Sequence, residues 1–223
     1  RLAERKTVDR ELFLCSALVD MYAKCGSLVE AREAFDKLPI RDNVSWNVLI
    51  SGYAEHGPYQ EAITCFARMR TDNVWQGVVT FMWCIKACGN MGAFDKGREM
   101  HFDSVLRGFD RDPSLSSSLL DMYAKLSLLL DARYIFERLE SCDVTSWNTM
   151  IKAYGINQQS EIAISLFKRM REVGVKSDAA TFSCFLKACS RASLIRESCE
   201  VFRRMVEENM CTNDHMSCML DVL

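Results

Sequence analysis

Asp20-Met21-Tyr22-Ala23-Lys24 returns further along the chain as Asp121-Met122-Tyr123-Ala124-Lys125, an offset of 101 residues (121 minus 20). Ser45-Trp46-Asn47 comes back as Ser146-Trp147-Asn148, and Lys86-Ala87-Cys88 as Lys187-Ala188-Cys189, each by the same displacement. Three separate motifs sharing one offset mark an internal repeat, the pattern that has to be found before any local reading is made.

A shorter unit lies inside the long one. Tyr22, Tyr53, Cys88, Tyr123, Tyr154 and Cys189 form a column with steps of 31, 35, 35, 31 and 35 residues. Ala31, Ala62, Gly97, Ala132, Ala163 and Ser198 follow the same steps with small side chains. Four residues after these come Phe35, Phe66, His101, Phe136, Phe167 and Phe202. Each unit reads as two helices. Trp46, Ile50, Tyr53 and Phe81, Ile85, Cys88 recur at helical spacing in the first, and Leu28, Ala31, Phe35, Leu38 in the second. Gly26, Gly57, Gly89 and Gly92 are expected at the junctions, where left-handed backbone lets the chain turn. Neither helix pair buries its apolar stripe alone, so the units must stack on one another.

Composition narrows the function. The 223 residues are 49% hydrophobic and 26% charged, the balance of a folded chain rather than a disordered one. No apolar run reaches the ~18 residues that span a bilayer, so no membrane partner is expected. Eleven cysteines is an odd count, and no Cys-x-x-Cys or finger spacing occurs, which points to reduced, buried thiols. A formal net charge of −2 removes the basic surplus of a simple electrostatic nucleic-acid binder. The chain starts Arg1-Leu2-Ala3 without an initiator Met and is read as a fragment.

Two repeat families share this length. The tetratricopeptide pattern, Trp-x2-Leu-Gly-x2-Tyr with a Pro near the repeat end, is absent as a column. Val44-Ser45-Trp46-Asn47-Val48-Leu49-Ile50-Ser51-Gly52-Tyr53-Ala54, then Glu61-Ala62-Ile63 and Phe66-Ala67-Arg68-Met69, closely resembles a pentatricopeptide repeat. The alternation of 31 and 35 residues resembles that family's P, L and S subtypes, and Asp20 to Gly26 and Lys86-Ala87-Cys88 resemble subtype hallmarks. By this resemblance residues 1–11 end an L unit and 12–42 form an S unit. Units P at 43–77, L at 78–112, S at 113–143, P at 144–178 and L at 179–212 follow, with a truncated S unit at 213–223. The fold it implies is all-α: a right-handed α-solenoid superhelix of tandem helix-turn-helix repeats.

The resemblance also implies a function: sequence-specific binding of single-stranded RNA, one base per unit, in RNA processing, editing or stability in a mitochondrion or chloroplast. Unstacked bases are read on their Watson–Crick edges by side chains repeated along such an array. In the family the fifth residue of the first helix and the last residue of the unit read each base. Those pairs are Ser16 with Asp42, Asn47 with Gly77, Met82 with Asp112, Ser117 with Asp143, Asn148 with Asp178, and Ser183 with Thr212. Hydroxyl with Asp favours guanine and Asn with Asp favours uracil, so the expected target is near 5′-G-Y-n-G-U-n-3′. Gly77 offers no side chain and Met82 no polar contact, so reading there is expected to be loose. Bases are clamped at the second position, here Phe13, Val44, Val79, Ser114, Thr145 and Ala180, of which only the first three are large and apolar. Lys24 and Lys125 are candidates for phosphate contact or for a solvated helix surface.

Other conspicuous residues have plainer readings. Trp46 and Trp147 repeat at a core position and are expected to pack, and His101 stands in the Phe column. Cys84 and Cys88, at i and i+4, lack a His or acid to complete a metal site, and no cofactor is expected. The pairs around Arg68, Lys168 and Arg203 suit the negative ends of second helices. Relatives with such triplets often carry a deaminase-like domain, but its His-x-Glu and Pro-Cys-x-x-Cys elements do not occur, so no enzyme is expected here. Lys125-Leu126-Ser127-Leu128 replaces Lys24-Cys25-Gly26-Ser27, which suggests a reshaped turn or a partner contact. A competing reading makes the array a protein-binding scaffold in an organellar ribonucleoprotein or other multisubunit complex.

Overall fold

The computed structural model describes residues 15–192 and 195–207, and every regular element among them is helical. In chain order these are α1 (15–24), α2 (Leu28–Asp36), α3 (Asn43–His56), α4 (Tyr59–Thr71), α5 (Val78–Met91) and α6 (Phe94–Leu106). They continue with α7 (Pro113–Lys125), α8 (Leu129–Arg138), α9 (Val144–Ile156), α10 (Ser160–Glu172), α11 (Ala179–Ala192) and α12 (Ile195–Glu207). The chain forms two compact units, Arg1–Met122 and Tyr123–Leu223, divided within α7. No helix among the described residues is long and apolar enough to cross a membrane.

Within each unit the packing repeats. In the N-terminal unit α3 packs on α2, α4 and α5, and α4 packs on α5; in the C-terminal unit α9 packs on α8, α10 and α11, and α10 on α11. The Phe column makes these contacts. Phe35 of α2 meets Trp46 of α3 edge-on at 4.6 Å, and Phe136 of α8 meets Trp147 of α9 at 4.8 Å. Phe66 reaches Phe81 at 5.3 Å, and Phe167 reaches Phe185 at 4.4 Å. Trp46 and Trp147 are buried, as their repeated core position implied. His101 is only half-buried where Phe35, Phe66, Phe136 and Phe167 are buried. Arg68 and Arg169 lie over the faces of Trp46 and Trp147 at 5.8 and 5.9 Å, a cation–π role beyond the helix-end role expected for them.

Close helix approach is built from small side chains that the sequence reading left unused. A Cβ on Gly52 of α3 would lie 2.9 Å from the Ala23 Cβ of α1, and one on Gly155 of α9 would lie 2.9 Å from the Ala188 Cβ of α11. Gly89, expected at a junction, is instead inside α5, where an added Cβ would sit 3.0 Å from the Met122 Cα. Its missing side chain admits α7 rather than a turn.

The α1–α2 and α7–α8 turns are superimposable in their hydrogen bonding. Gly26 N–H donates to Ala23 O at 3.2 Å and Ser27 N–H to Tyr22 O at 2.9 Å; Ser127 and Leu128 donate to Ala124 and Tyr123 at the same distances. Gly26 has φ +74° and Ser127 φ +59°. The turn is therefore not reshaped. Ser127 takes the left-handed conformation itself.

Candidate nucleic-acid interface

Among the described residues, the positions expected to end a repeat also start the next first helix. Asp42 and Asp143 are the N-caps of α3 and α9. Asp42 Oδ1 accepts from Ser45 N at 2.8 Å, and Asp143 Oδ1 accepts from Ser146 N at 2.8 Å and Ser146 Oγ at 2.7 Å. Asp112 Oδ1 accepts from Ser114 N at 2.9 Å and Leu115 N at 3.0 Å, ahead of Pro113 at the first turn of α7. Asp178 Oδ1 accepts from Thr181 N at 2.7 Å and Thr181 Oγ1 at 2.8 Å. Each carboxylate thus satisfies amides that the helix start leaves without partners, with Oδ1 as the acceptor every time. Gly77 caps α5 with no side-chain bond.

The fifth-position residues meet these caps unequally. Asn148 Nδ2 donates to Asp178 Oδ1 at 3.1 Å, which joins the expected pair directly. Asn148 Oδ1 is buried and has no hydrogen-bond partner. Burial alone would raise the Asp178 pKa, but the bonds from Thr181 and Asn148 outweigh it and hold the carboxyl below its ordinary value. Asn47 is not brought to a partner at Gly77. Its Nδ2 donates to Asn43 Oδ1 at 2.8 Å, and its Oδ1 accepts from Thr80 Oγ1 at 2.7 Å.

Met82 and Ser117 line one cleft of 380 Å³ between α5 and α7, together with Lys86, Ser114, Ser118 and Asp121. Ser117 Oγ donates to Pro113 O and Ser118 Oγ to Ser114 O, both at 3.0 Å, which turns the hydroxyl lone pairs outward as acceptors. Lys86 Nζ sits 3.2 Å from Glu55 Oε1 and 4.6 Å from the Trp83 ring centre, so its charge is partly met within the protein. Ser16 is exposed, Ser183 is half-buried, and Thr212 and Phe13 lie outside the described residues. At the second position Val44 is 66% and Val79 49% exposed. Ser114, Thr145 and Ala180 are exposed too. Lys24 pairs with Asp20 at 2.7 Å.

The sequence reading missed a buried hydroxyl column, Ser45, Thr80, Ser146 and Thr181. Its signal was present: each follows a last-position residue by three, the spacing of a cap to the amide it satisfies. Elsewhere, burial pushes the Cys65 thiol up to about 12 and Cys88 to about 11, and raises Cys84 well above its ordinary value. Among the described residues no group of three or more His, Cys, Asp or Glu is placed to hold a metal ion.

A model of the PPR repeat matches residues 13–42, 44–74, 115–144 and 180–210, and a PPR repeat family model matches 142–191. The chain belongs to the pentatricopeptide repeat family. A chloroplastic pentatricopeptide repeat-containing protein of Arabidopsis thaliana is 36% identical over 95% of this chain and 29% of its own length. The chloroplastic pentatricopeptide repeat-containing protein DOT4 of the same plant is 37% identical over 90% of this chain and 23% of its own. The chain thus spans less than a third of these pentatricopeptide relatives. The maize pentatricopeptide repeat protein PPR10 has the same fold, with a TM-score of 0.73 at 19% identity over 93% of this chain and 31% of that one. Its complex with an 18-nucleotide psaJ RNA element aligns with a TM-score of 0.74 at 16% identity, over 89% of this chain and 30% of that one. The pentatricopeptide fold of this chain is therefore an α-solenoid of tandem helix-turn-helix repeats.

Proposed function

We propose that this chain is part of an organellar RNA-binding protein, an array that reads single-stranded RNA one base per repeat through P, L and S units bounded as the spacing suggests. The observation that carries the reading is the Asn148–Asp178 pair. Its amide is held by a 3.1 Å bond and its carbonyl Oδ1 is buried without a partner. Uracil presents N3–H to such an acceptor, whereas cytosine presents a lone pair there and leaves the carbonyl unsatisfied. An unmet buried polar group costs about 1–3 kcal/mol, roughly five- to more than a hundredfold in affinity. At Ser117 the outward lone pairs suit the N–H donors on the guanine edge, and exposed Val44 and Val79 suit the faces of flanking bases.

Support for RNA also comes from the family: PPR10 was solved with an RNA element, and relatives of this chain are named chloroplastic. The net charge of −2 assigns affinity to base reading more than to phosphate contact. Recognition, not catalysis, is the part we assign to these residues. The test is a gel-shift titration with 5′-G-Y-N-G-U-N-3′ and a permuted control. Specific RNA should bind at least tenfold more tightly, and Asn148→Ser should move preference at the fifth base from uracil towards guanine. Equal binding of both oligonucleotides ends this reading.

A protein-contact role has one observation in its favour. Phe102 and Leu106 of α6 and Trp75, near the end of the preceding repeat, are large, apolar and exposed. Their counterparts one long repeat later are Arg203, Glu207 and Lys176.

A further inference from the structure

The two P repeats carry the same fifth residue in opposite states. In the second, Thr181 Oγ1 donates to the Asp178 carboxylate at 2.8 Å, and Asn148 Oδ1 is left without a partner. In the first, Gly77 has no carboxylate to offer, and the equivalent Thr80 hydroxyl donates instead to Asn47 Oδ1 at 2.7 Å. Asn47 Nδ2 then donates to Asn43 Oδ1 at 2.8 Å, and Asn43 Nδ2 donates to Trp75 O. Asn43 and Trp75 have Val144 and Lys176 as counterparts, so the second triplet has no such chain of amides. Each end of the Asn47 amide therefore already has one partner inside the protein, and the carbonyl that would face the base is held by Thr80. Thr80 is fully buried, which keeps water from competing for its bond.

Resting on the base-reading function above, we infer that Thr80 is a specificity-determining positioning residue: by occupying the Asn47 carbonyl it makes the first P repeat indifferent to uracil and cytosine. The loose reading expected at Gly77 thus has a second cause beyond the missing carboxylate. The hydroxyl that a carboxylate would have captured instead closes the reader. This assignment separates two explanations that the residue pair alone does not distinguish. If the absent carboxylate were the whole reason, removing the Thr80 hydroxyl would change nothing. If Thr80 closes the site, removing it leaves Oδ1 without a protein partner, as at Asn148.

The experiment measures affinities of the full chain for the RNA carrying U or C at the second base, and separately U or C at the fifth. The parent protein should discriminate at the fifth base and not at the second. Thr80→Val, which keeps the buried shape without the hydroxyl, should create a uracil preference at the second base of about three- to tenfold, the worth of one hydrogen bond. Thr80→Ser retains the hydroxyl and should leave the second base flat. Gly77→Asp should capture the Thr80 hydroxyl as Asp178 captures that of Thr181, and produce the same preference with the threonine intact. The backbone at Gly77, φ −89° and ψ −177°, accepts a side chain without strain. Discrimination at the fifth base with a flat second base in Thr80→Val overturns the assignment while leaving the RNA reading standing. A flat response at both bases overturns the two together. Should Thr80→Val fold poorly, Thr80→Ala, which also lacks the hydroxyl, takes its place: a uracil preference at the second base supports the assignment and a flat second base overturns it. Gly77→Asp, by contrast, restores the carboxylate and gives the same result under both explanations.

Discussion

At the residue scale, Ser127 and Gln158 hold φ of +59° and +61° where Gly26 and Gly57, one long repeat earlier, hold +74° and +70°. A Cβ in left-handed backbone costs about 1–2 kcal/mol, of which part is recovered because glycine has more freedom to lose on folding. Ser127→Gly should accordingly stabilise the protein by about 0.5–1 kcal/mol, seen as a higher urea midpoint with an unchanged slope. A lower midpoint would mean that the Ser127 side chain contributes something its turn geometry does not show. Asp178 gives a second residue-level expectation. Its folded pKa is depressed, so the stability it adds is fully present above its unfolded value of about 3.9 and is lost as pH falls through the folded value. Thr181→Val removes one of the bonds that lower it. The difference in stability between neutral and strongly acid pH should be smaller in that variant than in the parent, measured by urea unfolding at each pH.

At the element scale the two helices of a repeat start differently. First helices α3 and α9 have no acid in the opening turn and rely on the Asp that precedes them. Second helices α2, α4, α8 and α10 have no side-chain cap bond and carry Glu30, Glu61, Asp131 or Glu161 in the first turn, where an anion meets the positive end of the helix dipole. The Asp at a repeat end therefore has a structural use whether or not RNA is bound. Asp143→Ala should cost about 1 kcal/mol, the ordinary price of a lost cap. Phe136→Ala, which removes the edge contact to Trp147 and leaves a cavity between α8 and α9, should cost about 3–5 kcal/mol. Both are read from thermal or urea melts. If the cap proved the larger of the two, the Phe column would not be what joins successive repeats in the C-terminal unit.

At the scale of the whole molecule, the paired helices and the packing columns of the described residues were legible in the sequence, because a repeat prints each packing requirement several times. Tyr53, Ala62, Phe66 and Trp46 were assigned to the interior from their spacing and all are buried. The sites where reading stopped short were those decided between elements rather than along one. Gly89 looked like a turn residue until α7 was seen against it, and the turn at Ser127 was expected to be reshaped until it was seen to keep the hydrogen bonds of the turn at Gly26 with a positive φ. The hydroxyl column of Ser45, Thr80, Ser146 and Thr181 was missed because Ser and Thr are ordinary on helix surfaces, and only burial shows these to be inside.

Sequence alone determined the stacked helical hairpins, since burial of an apolar stripe depends on residue type and period, which translation along the chain preserves. It also nominated the paired positions at the fifth and last residues of each repeat. Only the tertiary structure decided which hydrogen bonds those pairs make. Asn47 and Asn148 are the same letter in the same column, yet one carbonyl accepts from Thr80 and the other is buried without a partner. The physical reason is that a hydrogen bond is short and directional, so its partner is settled by which donors converge within about 3 Å, and not by the period of the sequence.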